Sequence, residues 1–530
     1  MNKTPLLLFF LLAFGIVLKA AEEHTERPAA VESCTSIMVG RKASADGSVM
    51  TSHTCDGNYR TWMNIVPSRA YAGDTVTPIY SGRLHTDFTL DGTGLTFKGN
   101  IPQAASTYSF LNTAYPCLNE RQLGIGETTI TGRRELINPG AMFMIEELER
   151  IALERCVTAR EAILLIGGLV REYGYADAGE CLTIADKREV WHFEIFGEGK
   201  DVKGGVWAAV RIPDNHVGVS ANIPRIGAIN ILDSANCLAS DNVFEAARRL
   251  GYWDGKGSFS FWKAYGGGKK AFAVREYFVL TRLAPGLGLS FDSEELPLSV
   301  KPEKAVSAAD VMSLLRQTYE GTAWDMTAGL TVETDAAGGK GKETVVSPSA
   351  NPWMTSATVA MLNGIRDSVV VPYRLIAVPQ CSYSHVIQLR DWLPDAIGGV
   401  AWMSFDNPGQ SPRFPVFCGA KNLPVSFGIC GQHIMRDDAT VWYYRKANKL
   451  ATVRWGMTKD LVMDAVRRFE DKGRYELPLV EARYAELRDA EGEDKAASFL
   501  DNYTADFVGA TALRWKELEN VFWAMFARGF

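Results

Sequence analysis

Cys34 follows Ser33 and opens a β-rich run, Cys34-Thr-Ser-Ile-Met-Val39. A cut between Ser33 and Cys34 would leave one residue carrying both a thiol nucleophile and a free α-amine to act as its base. Such an amine has a reference pKa of about 8, roughly two units below a lysine amine, so a useful fraction is unprotonated at neutral pH. Thiolate attack on an amide carbonyl then gives a tetrahedral oxyanion and a thioester that water hydrolyses. With Cys34 inside the chain this base does not exist. Three histidines stand alone in β-rich segments, His192, His216 and His385, and suit packing or hydrogen bonding better than general-base work. A papain-like Cys/His pair is disfavoured, because that mechanism sets its thiol at a helix N-terminus to lower its pKa, whereas Cys34 precedes a strand.

For this chemistry the segment before Cys34 has to be disposable. Lys3 is followed by an apolar run over residues 5–18, which is shorter than the roughly 20 residues of a membrane span and matches a secretory h-region. Residues 1–21 are expected to be a signal peptide ending at Ala20-Ala21, although Leu18 and Lys19 make a poor A-x-A pattern. No cysteine stands at that junction, which argues against a lipoprotein anchor. Residues 22–33, with Glu22, Glu23, Glu26, Arg27 and Pro28, hold too few apolar residues to pack and are expected to be a propeptide or linker. The alternative is a retained tail, with Cys34 an ordinary buried strand residue.

The elements after Cys34 must position it. Asp46-Gly47 predicts a hairpin turn into a second strand over 48–54. Further strands are expected near 61–66 and over 119–131, the latter interrupted by Gly124 and Gly126. Asn138-Pro139 predicts the start of a helix to Cys156, with Met142, Ile145, Leu148, Ile151 and Ala152 at helical spacing. Thr158-Ala-Arg-Glu161 is a capping box for a helix to Tyr173 that stops at Gly174. Strands return over 180–185, 189–196, 206–211 and 216–222. Strands, two helices, then strands predict an α+β fold in which helices cover a largely antiparallel sheet. Residues 308–319, 459–472 and 480–501 are expected to be helical, and Gly266 to Gly268 and Gly338-Gly339 to be loops without phosphate-binding spacing.

The chain has 530 residues, 47% of them hydrophobic, enough to bury a large core. A net charge of −6 with no Lys/Arg run excludes nucleic acid or an anionic membrane as an evident partner. No later apolar run reaches spanning length, so the mature form is not expected to insert in a membrane. The 9 cysteines lack CxxC or Cys/His spacing, so no metal and no cofactor is expected. Their odd number leaves at least one thiol unpaired.

The stretch Cys34-Thr-Ser-Ile-Met-Val-Gly-Arg-Lys-Ala-Ser-Ala-Asp-Gly-Ser48 resembles the amino terminus of dipeptidases of the dipeptidase A type, which are N-terminal-nucleophile (Ntn) hydrolases. The likeness continues through Asn119-Glu120 with Gly126-Glu127-Thr128-Thr129, Val206-Trp-Ala-Ala-Val-Arg-Ile-Pro-Asp214, Ser220-Ala-Asn222 with Arg225-Ile-Gly227, and Leu389-Arg-Asp-Trp-Leu-Pro-Asp395 with Gly398-Gly399. Together these blocks span most of the chain after Cys34. More distantly, the first part is similar to the bile-salt hydrolase and penicillin V acylase branch of the same superfamily.

The resemblance implies an αββα sandwich over 34–530, with a core of about 34–290 and 370–450 and a helical extension of about 455–530, self-cleavage to expose Cys34, and hydrolysis of short peptides. By likeness to the acylase branch, the Asn222 amide is the expected oxyanion donor, and Glu127 to Thr129 holds the place of the other one, with Thr129 its candidate. Asp56 resembles the aspartate that holds the nucleophile's amine, and Arg275 lies where a later active-site arginine stands. Their plain readings are a turn asparagine, an ordinary β-former, an Asp-Gly turn and a surface arginine. The family usually has an arginine three residues before the aspartate; here His53 stands there, a residue whose charge near pH 7 is set by its surroundings.

The expectation is an exported cysteine dipeptidase, periplasmic or extracellular, acting on small peptide substrates, with a homo-oligomer left open. Two alternatives remain. One is an Ntn amidase on non-peptide amides such as N-acyl amino acids or conjugated bile acids, and the other a non-catalytic envelope protein that binds its ligand on the same scaffold.

Overall fold

A computed structural model describes residues 33–87, 94–268, 270–336, 339 and 341–529. The expected signal peptide, and all of the expected propeptide except Ser33, lie outside the described residues.

Two large antiparallel sheets carry the fold. The first has seven strands in the spatial order Ser299–Val300, Val217–Ser220, Ser36–Val39, Val49–Asp56, Cys381–Leu389, Gly399–Phe405, Phe414–Phe417. The strand that follows Cys34 is therefore central. The second has eight, in the order Cys237–Ala239, Val206–Ile212, Val190–Phe196, Glu180–Ala185, Gly124–Thr129, Leu118–Asn119, Phe110–Asn112, Asn64–Val66.

Every residue of Val49–Asp56 and of Cys381–Leu389 is buried, which requires a cover on both faces of the first sheet. One cover is the second sheet, met through side chains of one parity: Ser36 Oγ donates to Glu127 O at 3.1 Å, and the Thr51 and Thr183 hydroxyls lie 2.6 Å apart. The hydroxyls of Thr128 and Ser220, also 2.6 Å apart, add a further link. Each buried hydroxyl thus finds a partner, without which its burial would cost about 1–3 kcal/mol. Gly126 allows this approach, because a Cβ there would press on Ser52 O and stand 2.6 Å from Thr183 Oγ1. The opposite parity, Ile37, Val39 and Met50, packs with the helices Val274–Leu283 and Ala308–Leu315. Helices Ile145–Arg155 and Ala159–Tyr173 pack against strands of the second sheet.

Several expected boundaries move. The connection after Val39 is not a two-residue hairpin turn, since the first paired residue of the next strand is Met50. Asp46 instead closes a local turn, its Oδ1 accepting from Ser44 Oγ and from Ser48 N and Oγ, with Gly47 at φ +85°. The strand expected over 119–131 is two strands, because the Asn119 Oδ1 accepts from the backbone of Arg121 and Leu123 and Gln122 turns at φ +64°. The helix expected from Pro139 begins at Ile145, since Asn138 spends its side chain on a turn, accepting from Gly140 N. The Thr158 capping box is present with both of its bonds, and Gly174 follows at φ +84°.

The helices expected over 459–472 and 480–501 are instead Trp455–Glu491, which runs through Pro478, and Glu493–Met525. Burial of Leu477 and Val480 on either side of Pro478 holds the first helix together, and the break falls at Gly492, where φ is +93°. The two helices pack on each other and against Phe414–Phe417. Among the described residues no helix is long and apolar enough to cross a membrane.

Candidate functional site

Residues 33–35 lie antiparallel to the end of Val49–Asp56. Ser33 N donates to Asp56 O at 3.1 Å, Thr54 N to Thr35 O at 3.0 Å, and Thr35 N to Thr54 Oγ1 at 2.9 Å. This register brings Asp56 beside Cys34 although 21 residues separate them. Cys34 is wholly buried. Burial, and then the negative charges of Glu127, Cys55 and Asp56, push its thiol well above the usual range, while a backbone hydrogen bond from Asp56 works the other way. A thiol so placed stays protonated at neutral pH until a base reaches it.

Arg275, in the first turn of Val274–Leu283, ties the site together. Its Nη1 donates to Cys34 O at 2.6 Å and to Thr35 Oγ1 at 3.0 Å, and its Nη2 to Ala221 O at 3.0 Å and Asn222 Oδ1 at 2.7 Å. Burial pushes its pKa down to about 10, which leaves it charged at pH 7. Asn222 sits just past Val217–Ser220 at φ +68°, a left-handed conformation that asparagine tolerates better than most residues. Its Nδ2 donates to Thr129 O at 2.6 Å. An amide nitrogen has two hydrogens, so one more can serve a substrate.

Thr129 reaches this frame through its carbonyl. Its hydroxyl donates to Glu127 Oε1 at 3.2 Å. Asp56 Oδ2 accepts from Thr54 Oγ1 at 2.9 Å and from Arg374 Nη2 at 3.0 Å. Burial raises its carboxyl, and the Arg374 charge and hydrogen bonds from Cys381, Arg374 and Thr54 offset part of the rise.

At the position where the resembling family has an arginine, His53 carries no charge. Burial pushes its pKa down to about 3; its Nδ1 lies 2.7 Å from Glu127 O and 3.0 Å from Glu127 N, and its ring stacks on His385 at 5.5 Å. The guanidinium beside Asp56 comes instead from Arg374, in the irregular segment before Cys381–Leu389.

Sequence reasoning missed Arg374 and Glu127. Arg374 offers no local signal, since it reaches Ser33 and Asp56 across more than three hundred residues. Glu127 stands in the quoted Gly-Glu-Thr-Thr block, two residues before Thr129 and so on the same strand face, and its carboxylate is the one that comes near the thiol. The Glu127 carboxylate, a His53 ring nitrogen and Cys34 Sγ all lie within 4.8 Å of one another. Glu180 lies opposite Thr129 on the neighbouring strand; burial and the charge of Glu127 raise its carboxyl well above the usual range. Thiolate, imidazole and carboxylate could together hold a soft or borderline metal ion, although a metal there would occupy the sulfur that a nucleophile needs. None of the nine cysteines is in a disulfide.

What the arrangement can do is narrow: one thiol, one amide donor, and two guanidinium groups around the Ser33–Cys34 peptide bond, Arg275 buried and Arg374 half-buried. The family model described as Peptidase family C69 matches residues 33–468. A protein named "Probable dipeptidase" from Latilactobacillus sakei is 24% identical over 481 residues, covering 87% of this chain and 89% of that protein. A "Probable dipeptidase" from Salmonella dublin is 26% identical over 414 residues, covering 74% and 82%. A "Probable dipeptidase B" from Streptococcus pyogenes serotype M1 is 23% identical over 401 residues, covering 72% and 71%.

Proposed function

Since the chain belongs to peptidase family C69, cysteine peptidases of the dipeptidase A type, we propose that it is an exported dipeptidase whose working residue is Cys34 freed at its amino side. In this reading the two stacked sheets with their helices are the αββα sandwich of Ntn hydrolases. The observation that carries the proposal is the Arg275 clamp, which holds the Cys34 carbonyl and the Asn222 amide in one rigid frame. Scission of the Ser33–Cys34 bond supplies the missing base, because the Cys34 nitrogen then becomes an amine next to its own thiol.

The reaction follows from these groups. The amine takes the thiol proton, the sulfur attacks the peptide carbonyl, and the spare hydrogen of Asn222 Nδ2 meets the oxyanion, a contribution of typically about 3 kcal/mol. The leaving amine takes the proton, and water hydrolyses the thioester. In this reading Glu127 and Glu180 recognise a dipeptide's free amine. Two buried carboxylates, Glu127 and Glu180, cannot both ionise cheaply, and a substrate α-ammonium placed beside Cys34 relieves that repulsion. Export rests on the apolar run at 5–18 and a short polar stretch before Cys34.

A panel of dipeptides, N-acyl amino acids and conjugated bile acids, assayed with the purified protein and with Cys34→Ala, tests the proposal. Dipeptide turnover that is lost in Cys34→Ala is the expected result. Turnover of only the N-acyl compounds would make the protein an amidase, and peptidase activity surviving in Cys34→Ala would reject the mechanism.

A further inference from the structure

Arg374 touches the bond that has to break. Its Nη2 donates to the carbonyl oxygen of Ser33 at 2.9 Å and to Ser33 Oγ at 2.6 Å, and its Nε donates to the same hydroxyl at 2.9 Å. The Ser33 carbonyl is the acyl half of the Ser33–Cys34 peptide bond. The guanidinium is fixed in place: Nη2 also meets Asp56 Oδ2 at 3.0 Å, Nη1 donates to Leu375 O, and the Tyr319 hydroxyl donates to the Arg374 carbonyl at 3.1 Å. On the other side of the same peptide bond, Arg275 Nη1 holds Cys34 O, so the two residues that flank the bond are each gripped by a buried or half-buried arginine.

We propose that Arg374 is the oxyanion donor for self-cleavage between Ser33 and Cys34. This deepens the preceding reading and rests on it. In the uncut chain the Cys34 nitrogen is an amide and cannot act as a base, so the first turnover has to run without the amine used in later ones. The Cys34 sulfur adds to the Ser33 carbonyl carbon, and the C=O electron pair moves onto the oxygen that Arg374 already holds. Collapse of this adduct breaks the C–N bond, leaving a Ser33 thioester on sulfur. The thiol proton ends on the departing Cys34 nitrogen. Glu127 and His53, whose nearest atoms lie within 4.8 Å of the sulfur, stand where they can carry that proton. Water then hydrolyses the thioester, which releases a Ser33 carboxylate and restores the thiol beside a new amine. A fixed cation at the carbonyl oxygen strengthens as negative charge grows there, which is what lowers such a barrier.

The acyl group on sulfur is Ser33 in this first event and the substrate's N-terminal residue in each later one.

The test follows cleavage of the full chain by intact mass after cell-free synthesis, for the wild type, Arg374→Ala, Arg374→Lys and Cys34→Ala. The expected result is wild-type chains beginning at Cys34, with Arg374→Ala cut about 100-fold or more slowly and Arg374→Lys between the two. Methylguanidinium added to Arg374→Ala should restore cutting, a rescue that a merely structural arginine would not give. Uncut Arg374→Ala should still unfold in one cooperative transition, as uncut Cys34→Ala does, though at a lower temperature because Asp56 loses its charged partner. If Arg374→Ala does not fold, Arg374→Lys decides the matter. Cutting of either folded variant at the wild-type rate would overturn the inference while leaving the Cys34 reading intact. Active wild-type protein that does not begin at Cys34 would instead remove the reading beneath it.

Discussion

Asn222 offers the sharpest quantitative prediction. Its Nδ2 gives one hydrogen to Thr129 O, its Oδ1 accepts from Arg275, and the remaining hydrogen is assigned to the oxyanion. Asn222→Ala removes all three and places alanine at φ +68°, where an L-residue costs roughly 1–2 kcal/mol. Asn222→Gly removes the same amide without that steric cost. Each lost hydrogen bond is worth about 1 kcal/mol in stability, and the one to the charged guanidinium about 1.5–3, so both variants should be less stable by a few kcal/mol. On catalysis the two should agree: loss of one oxyanion donor lowers kcat by about 10²–10³-fold with little change in KM. Dipeptide hydrolysis measured to saturation, beside urea unfolding of the same preparations, separates the two effects. A folded Asn222→Gly with kcat within about threefold of wild type would refute the assignment, whatever the alanine variant does.

In Glu127→Gln chains confirmed to begin at Cys34, KM for free dipeptides should rise by about 10–100-fold, the worth of a charged hydrogen bond, with N-acetylated dipeptides no worse; equal effects on both would remove the ammonium subsite. Gly126→Ala should lower stability by about 1–3 kcal/mol through overpacking between the sheets, read as a fall in melting temperature. The pKa of His53 is about 3 in the fold against about 6.5 unfolded, so the unfolded chain binds the extra proton between these values. Its contribution to stability is full above pH 6.5 and is lost as pH falls toward 3, by up to about 1.4 kcal/mol per unit. Urea unfolding of His53→Asn at a series of pH values should show a shallower acid loss than wild type, and identical slopes would show that His53 is not held neutral.

Much of the framework could be read from residue order. The Thr158 capping box, the stop at Gly174 and the strands near 180, 190 and 206 follow from local chemistry acting over a few residues. The connection after Cys34 was misjudged because Asp46 serves a local turn rather than a hairpin, and the long C-terminal helix because packing at Leu477 and Val480 outweighs the break that Pro478 predicts. At the site, Arg275 links Cys34 and Asn222, Asp56 lies across the strand from Cys34, and Thr129 meets Asn222 through its carbonyl and Glu127 through its hydroxyl. Glu127 and Arg374 were not legible. One shares its strand face with Thr129 and is singled out only by the approach of its carboxylate to Cys34 Sγ between the sheets, and the other depends on a contact between segments far apart in the chain.

In the proposed mechanism the amino end of the working chain decides activity. Purified protein that hydrolyses dipeptides should be treated with iodoacetamide until activity is half gone, then analysed by intact mass and by N-terminal sequencing. The expected result is a chain that starts at Cys34, with loss of activity tracking one alkyl group on that residue. Fully active protein that still carries a peptide bond to Ser33 would contradict it.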